Sequence, residues 1–209
     1  SFPTRRSSDL QSMNDYWTLR MHIEAGGGVL RALSAGWEAC PCPGLTIHCL
    51  GPSRVRAEEL AVLYADLNQE EDFAAFRRKL SALDGAMNNY SILLRLDYWG
   101  TRILLPGDTN CLGYREISPE DLVAQIFKVG HHGQRDGADS ALMEAIRPED
   151  VVCCASSDRR YHSAHPELIR LLSDAGASLW YSDCPRLPGL DLPPHQALVF
   201  HIEAEGTYT

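Results

Sequence analysis

The sequence predicts an α/β protein with mixed sheets, and two observations carry that reading. From Asn88 onward, short apolar runs that read as strands alternate with segments of helical periodicity, as expected of a sheet layered with helices. Two of the apolar runs end in polar, glycine-bracketed turns, Pro106-Gly107-Asp108 and Gly130-His131-His132-Gly133. Such turns gather where loops leave a sheet.

The 209 residues are enough for one domain, or one and a fraction, with a sizeable core. Hydrophobic content of 44% and charged content of 22% suit a soluble globular chain. No apolar run approaches the roughly 18 residues of a membrane helix, and no signal peptide opens the chain. A net charge of −9 argues against non-specific binding to DNA or anionic membranes by the whole surface. It leaves room for a metal acting on phosphates. Of the seven cysteines none lies in a Cys-x-x-Cys pair, so buried thiols in a reducing cytoplasm are expected.

Taken in order, Ser1–Leu10 reads, residue for residue, as one frame of a common sequencing adapter. It is expected to be an artefact joined to residues 11–209; a polar, disordered terminus is the alternative. Residues 11–44 carry weak patterning and the flexible Gly26-Gly27-Gly28. Leu45–Leu50 alternates and stops at Gly51-Pro52, as a short strand does. Leu60, Leu63, Tyr64 and Leu67 share a helical face, which predicts a helix over about 55–67. Phe73, Phe76, Leu80 and Leu83 mark a second helix, acidic at its start and with Arg77-Arg78-Lys79 as a solvated end. Ser91–Leu96 and Arg102–Leu105 flank Tyr98-Trp99-Gly100 as a hairpin. Further strands are expected at Ile126–Val129, Val151–Ala155, Ser178–Tyr181 and Ala197–Ile202, and helices at about 119–124, 139–147 and 166–175. No internal repeat is present.

The chemistry concentrates in three loops. Asp108 follows an apolar strand, where a carboxylate serves as a ligand or catalytic acid; an Asx-turn with Thr109-Asn110 is the competing reading. His131 and His132, bracketed by glycines, place at least one imidazole in a cleft, as a metal ligand or general base. His165 precedes Pro166 at a helix start, where it either contacts an anion or simply caps the helix. His22, His48, His195 and His201 lack any surrounding motif and are read as structural.

Together these segments resemble the metallo-β-lactamase fold superfamily, and most nearly the hydrolase domain of ComEC-type competence proteins and their free-standing relatives. The likeness spans about residues 45–182. Asn88–Leu96 is similar to the family's asparagine-rich lead into a strand, Leu104–Asp108 to its LxGD element and Lys128–Gly133 to its KVxHHG element. Tyr161–Pro166 is similar to its tyrosine-containing GHP loop, with Ala164 in place of the usual glycine.

The resemblance implies an αββα sandwich of mixed sheets and a metal-dependent hydrolase of phosphodiesters, nucleic acid or a small molecule. It implies two ions, usually Zn2+, bridged by Asp108. One of His131 and His132, with His131 favoured, would be a ligand, and His165 would lie near the substrate. Two ions about 3.5–4 Å apart generate a hydroxide and neutralise the developing oxyanion. The family's H-x-H-x-D-H motif has no counterpart, since no two histidines are separated by one residue and no Asp-His dipeptide occurs. The chain is therefore expected to be the C-terminal portion of such a domain, inactive and weakly zinc-binding by itself, with residues 53–85 as a helical insertion. The alternative is a non-catalytic module of the same fold serving interactions.

Overall fold

A computed structural model describes residue 15 and residues 18–157 and 162–209. The adapter-like Ser1–Leu10 and Tyr161 of the last motif lie outside the described residues. The chain divides into two units, residues 1–32 and 33–209. In the first, residues 18–25 are helical. The helix ends at the glycines, whose amides at Gly26 and Gly28 donate back to His22 and Ile23 carbonyls at 3.0 and 2.8 Å.

The second unit is α/β. Its described residues form one seven-stranded sheet in chain order: β1 (Glu38–Cys42), β2 (Leu45–Gly51), β3 (Leu93–Tyr98), β4 (Thr101–Leu105), β5 (Ile126–Lys128), β6 (Asp150–Cys153) and β7 (Ser178–Tyr181). Strands β1 to β4 pair antiparallel and β4 to β7 pair parallel, so the sheet is mixed. The second sheet that an αββα sandwich requires is not formed among the described residues.

Helices α1 (Arg54–Gln69) and α2 (Phe73–Ala86) both lie between β2 and β3. Ser53 caps the first through the Arg56 amide and Asp72 caps the second through the Ala75 amide, at 3.3 and 2.7 Å. The basic triplet does not end α2, which continues to Ala86. Lys79 instead bridges Asp66 and Glu70 at 2.8 Å each, joining the two helices. Between the parallel strands run α3 (Pro119–Leu122), α4 (Ser140–Ile146) and α5 (Pro166–Asp174), the crossovers that parallel pairing requires.

Strand alternation sends Leu93, Leu104, Phe127, Val151, Cys153 and Tyr181 into one core with Leu142, Met143, Ile146, Leu168 and Leu172 of the crossover helices. Arg95 shares that face, 6% exposed. It is satisfied by Asp97 at 2.8 Å and by the Asp121 carbonyl at 3.0 Å. The opposite face carries Ile47, Leu96, Ile103 and Leu105, half-buried, and Trp180, which is exposed.

Three sequence expectations need correction. Ala197–Ile202 is not a sheet strand: Ile202 makes only an isolated bridge to Tyr208, closing a small turn around Gly206. Its alternation is satisfied locally, so it needs no partner in the sheet. Strand β1 forms where no strand was expected, because Cys42 and Leu45 close a tight hairpin onto β2. The cysteines are not uniformly buried either: Cys49 and Cys153 are, while Cys40 and Cys42 are exposed on the outermost strand. No disulfide joins them. No helix among the described residues is long and apolar enough to cross a membrane.

Candidate metal centre

In a sheet whose last four strands run parallel, the C-terminal strand ends share one edge. Asp108 follows β4, His131 and His132 follow β5, Cys154 follows β6, and Ser182–Cys184 follow β7. Asn88 belongs to the turn Met87–Tyr90 that precedes β3, which runs antiparallel to β4. Its turn therefore reaches the same edge. Topology alone gathers residues from Asn88 to Cys184 at one edge.

Local chemistry brings the loops into contact. The Asp108 turn closes through the Thr109 amide on the Pro106 carbonyl, 3.1 Å. Lys128 then ties both strand ends, donating to the Gly107 and Val129 carbonyls at 3.1 and 3.2 Å. Gly130 allows the two loops to touch: a Cβ there would lie 2.2 Å from the Thr109 carbonyl oxygen. His131, His132 and Gly133 follow with φ of 50°, 55° and 71°. For the two histidines this left-handed backbone costs roughly 1–2 kcal/mol each. Strain of this kind persists only where surrounding contacts hold it.

Those contacts are well defined. The His165 and Ala164 amides donate to the Gly133 and His132 carbonyls at 2.8 and 3.1 Å, so the loop before α5 is laced to the histidine turn. Ala164 itself is buried at φ 48°, left-handed at the position where the resemblance has glycine. Gly133 has no room for a side chain, since a Cβ would meet Cys153 Sγ at 2.5 Å.

The two histidines then diverge. His132 Nδ1 lies 3.0 Å from the Cys154 carbonyl, and its Nε2 lies 3.3 Å from Asp108 Oδ1. A carbonyl only accepts, so the proton belongs on Nδ1. In the neutral ring the Nε2 lone pair then faces a carboxylate oxygen, an arrangement that requires a positive charge shared between them. An extra proton supplies it, as an imidazolium–carboxylate pair; a divalent cation supplies it equally well. His131 does not face Asp108. Its Nδ1 is 3.0 Å from Asp136 Oδ1 and its Nε2 is 3.0 Å from Asn88 Nδ2.

The other predicted residue has a plainer place. His165 is the N-cap of α5, its Nδ1 accepting from the Glu167 amide at 3.3 Å. Its proton therefore sits on Nε2, available as a donor at the loop edge. Asp108 does not form the Asx-turn; Asn110 does the local capping, accepting from the Leu112 amide at 3.1 Å. His48 is structural, held by Glu38 at 2.8 Å. Two contributors escaped sequence reasoning. Asp136 sits in an unremarkable Gln-Arg-Asp-Gly turn, and the Cys154 carbonyl carries no sequence signal at all.

An imidazole nitrogen and a carboxylate oxygen suit a borderline divalent ion such as Zn2+. The pair fits one side of such a site and does not complete it: among the described residues no three His, Cys, Asp or Glu side chains come together as a metal-binding group.

No family model matches the chain. A stretch of 87 residues, 41% of the chain, is 29% identical to ComE operon protein 3 of Bacillus subtilis (strain 168). The likeness is partial. The match covers 11% of that protein's length.

Proposed function

We propose that the chain carries the Asp–His side of a metal-dependent hydrolase centre of the metallo-β-lactamase type, acting on a phosphodiester or another small substrate. One observation carries the reading: His132 Nε2, its partner nitrogen protonated against Cys154, is aimed at the Asp108 carboxylate 3.3 Å away. The partial likeness to a competence-operon protein supports it. In this reading Asp108 and His132 hold the metal, and His165 is a nearby proton donor through Nε2–H.

Divalent ions held there would supply a metal-activated hydroxide. The chain's own residues fix geometry. Cys154 sets the His132 tautomer, Lys128 holds the two strand ends together, and the 162–165 loop braces the histidine turn. The remaining ligands would come from outside the described residues. The seven cysteines, none in a disulfide, support a reducing, cytoplasmic setting. A net charge of −9 favours a small or metal-bound phosphodiester over extended nucleic acid.

The test is Zn2+ titration of the purified chain, read by the ring-nitrogen resonances of His132. Weak, saturable binding that disappears in Asp108→Ala and His132→Ala, and persists in His22→Ala, is expected, with negligible hydrolysis of an aryl phosphodiester. No response at His132 would remove the metal reading. Tight stoichiometric binding would show that the ligand set is already complete. The lack of a third donor among the described residues favours a second reading, a non-catalytic interaction module of the same fold. An intact metal response argues against it.

A further inference from the structure

We propose that the cavity between α1 and Tyr90 is the subsite for an apolar arm of the substrate, which makes that substrate a small phosphodiester bearing an aryl or alkyl group. The place of the phosphoryl end rests on the metal reading above; the cavity rests on geometry.

The cavity, about 460 Å3, is lined by Val55, Glu58, Glu59, Val62, Leu63 and Tyr90. That volume lies within the range of small-ligand sites. The helical residues fall at i, i+3, i+4, i+7 and i+8, so they form one face of α1. This face looks outward: Val55 and Val62 are 64% and 67% exposed, whereas the buried residue of α1 is Leu67. A single exposed aliphatic side chain needs no explanation. Three on one face, closed by a tyrosine, form an apolar concavity that suits an apolar ligand.

One short segment joins this cavity to the Asp108 loop. Tyr90 ends the turn Met87–Tyr90, and the two residues after it pack on Gly107. A Cβ on Gly107 would lie 3.4 Å from Ser91 Cβ and 3.3 Å from the Ile92 carbonyl oxygen. The α1 wall is tied to the same region at two points. Arg56 pairs at 2.8 Å with Glu116, just beyond the Cys111–Tyr114 turn that follows Asp108. The Tyr64 hydroxyl donates to Met87 Sδ at 3.8 Å. Exposed Ile92 and Leu112 add apolar surface on the segments that pack against and follow the Asp108 loop.

Charge sets which end of a ligand enters. Glu58 and Glu59 line the cavity, and Arg54 pairs with the first at 3.1 Å. The carboxylates repel a phosphoryl group toward a cation held by Asp108 and His132, while a neutral arm fills the cavity. A nucleic-acid strand carries a charge at every nucleotide and has no such arm.

The experiment is titration of the full chain, 13C-labelled at valine and leucine methyls, with 1-naphthyl methyl phosphate, dimethyl phosphate and a thymidine dinucleotide. Without metal, the naphthyl ester should shift the Val55, Val62 and Leu63 methyls saturably, and the other two ligands should not. Val62→Asp, and independently Val55→Asp, should weaken that binding about tenfold. Both positions are exposed and tolerate the change; Val199→Asp, at an exposed position outside the cavity, should leave binding unaltered. Added Zn2+ should raise the affinity for the naphthyl ester about tenfold, a gain lost in Asp108→Ala. Methyls that ignore the naphthyl ester, or respond equally to the dinucleotide, overturn the subsite. A His132 that takes Zn2+ while the ester gains nothing overturns it as well. A His132 silent to Zn2+ counts against the metal reading, and the methyl response then decides the cavity by itself.

Discussion

Replacing Gly130 with alanine should damage both stability and site geometry. Gly130 has an ordinary negative φ of −64°, so the backbone conformation is open to any residue. Space is the obstacle. The added Cβ would lie 2.2 Å from the Thr109 carbonyl oxygen and 3.3 Å from that of Gly137. Both are backbone atoms and cannot rotate away. To reach ordinary contact near 3.4 Å the Thr109 carbonyl must retreat by about 1.2 Å. That carbonyl adjoins Asp108, so the shift carries directly to the 3.3 Å approach of Asp108 and His132. Overpacking of this kind costs about 1–3 kcal/mol, and a backbone clash belongs at the upper end. Urea unfolding followed by circular dichroism measures it, with Gly85→Ala as control. Gly85 lies within α2 and a Cβ there meets nothing within 4 Å, so the control should gain about 0.5–1 kcal/mol. An unfolding midpoint for Gly130→Ala equal to that of the unsubstituted chain would refute the close approach of the two loops.

The other predictions concern single groups. Arg147 ends α4 with φ 52° and is exposed; Arg147→Gly should relieve about 1 kcal/mol of left-handed strain and raise Tm by about 2–4 °C in a thermal melt. The carbonyls of Pro193 and Tyr181, with Asp183 nearby, raise the His195 pKa above 6.5. The stability this contributes is fully present below the unfolded value and is lost as pH rises through the folded one. Protection of the amides across residues 182–195, corrected for the intrinsic exchange rate, should fall as pH rises above about 6.5, and His195→Ala should flatten that dependence. Burial, then Asp139 and Asp136, push the Cys111 thiol up to about 12. Iodoacetamide followed by mass spectrometry should therefore label exposed Cys40 and Cys42 well before Cys111; early Cys111 labelling would contradict its burial.

Much of the fold was legible because burial imposes local periodicity. The runs Leu45–Leu50, Ser178–Tyr181 and Ile126–Lys128 alternate or stay apolar, and all became strands. The helices around Leu60–Leu67 and Phe73–Leu83 were legible from their spacing, although of those two faces only Leu67 and Leu83 are buried, while Leu63 and Phe73 are exposed. Strand β1 was hidden, since Glu38-Ala39-Cys40-Pro41-Cys42 is mostly exposed and lacks an apolar alternation. Ala197–Ile202 misled for the opposite reason. Its alternation is real, but its hydrogen bonds go to residues of the same terminal turn.

The sequence by itself determined the element types and the three loops where chemistry collects, because strand ends, glycines and polar side chains are written residue by residue. Only the tertiary structure decided how those loops divide their work. It turned His132 toward Asp108, gave His131 to Asn88 and Asp136, and made His165 a helix cap. The physical reason is that a ring's direction depends on backbone φ and on partners 22 and 43 positions away. Adjacent histidines read alike in one dimension and become different groups once packed.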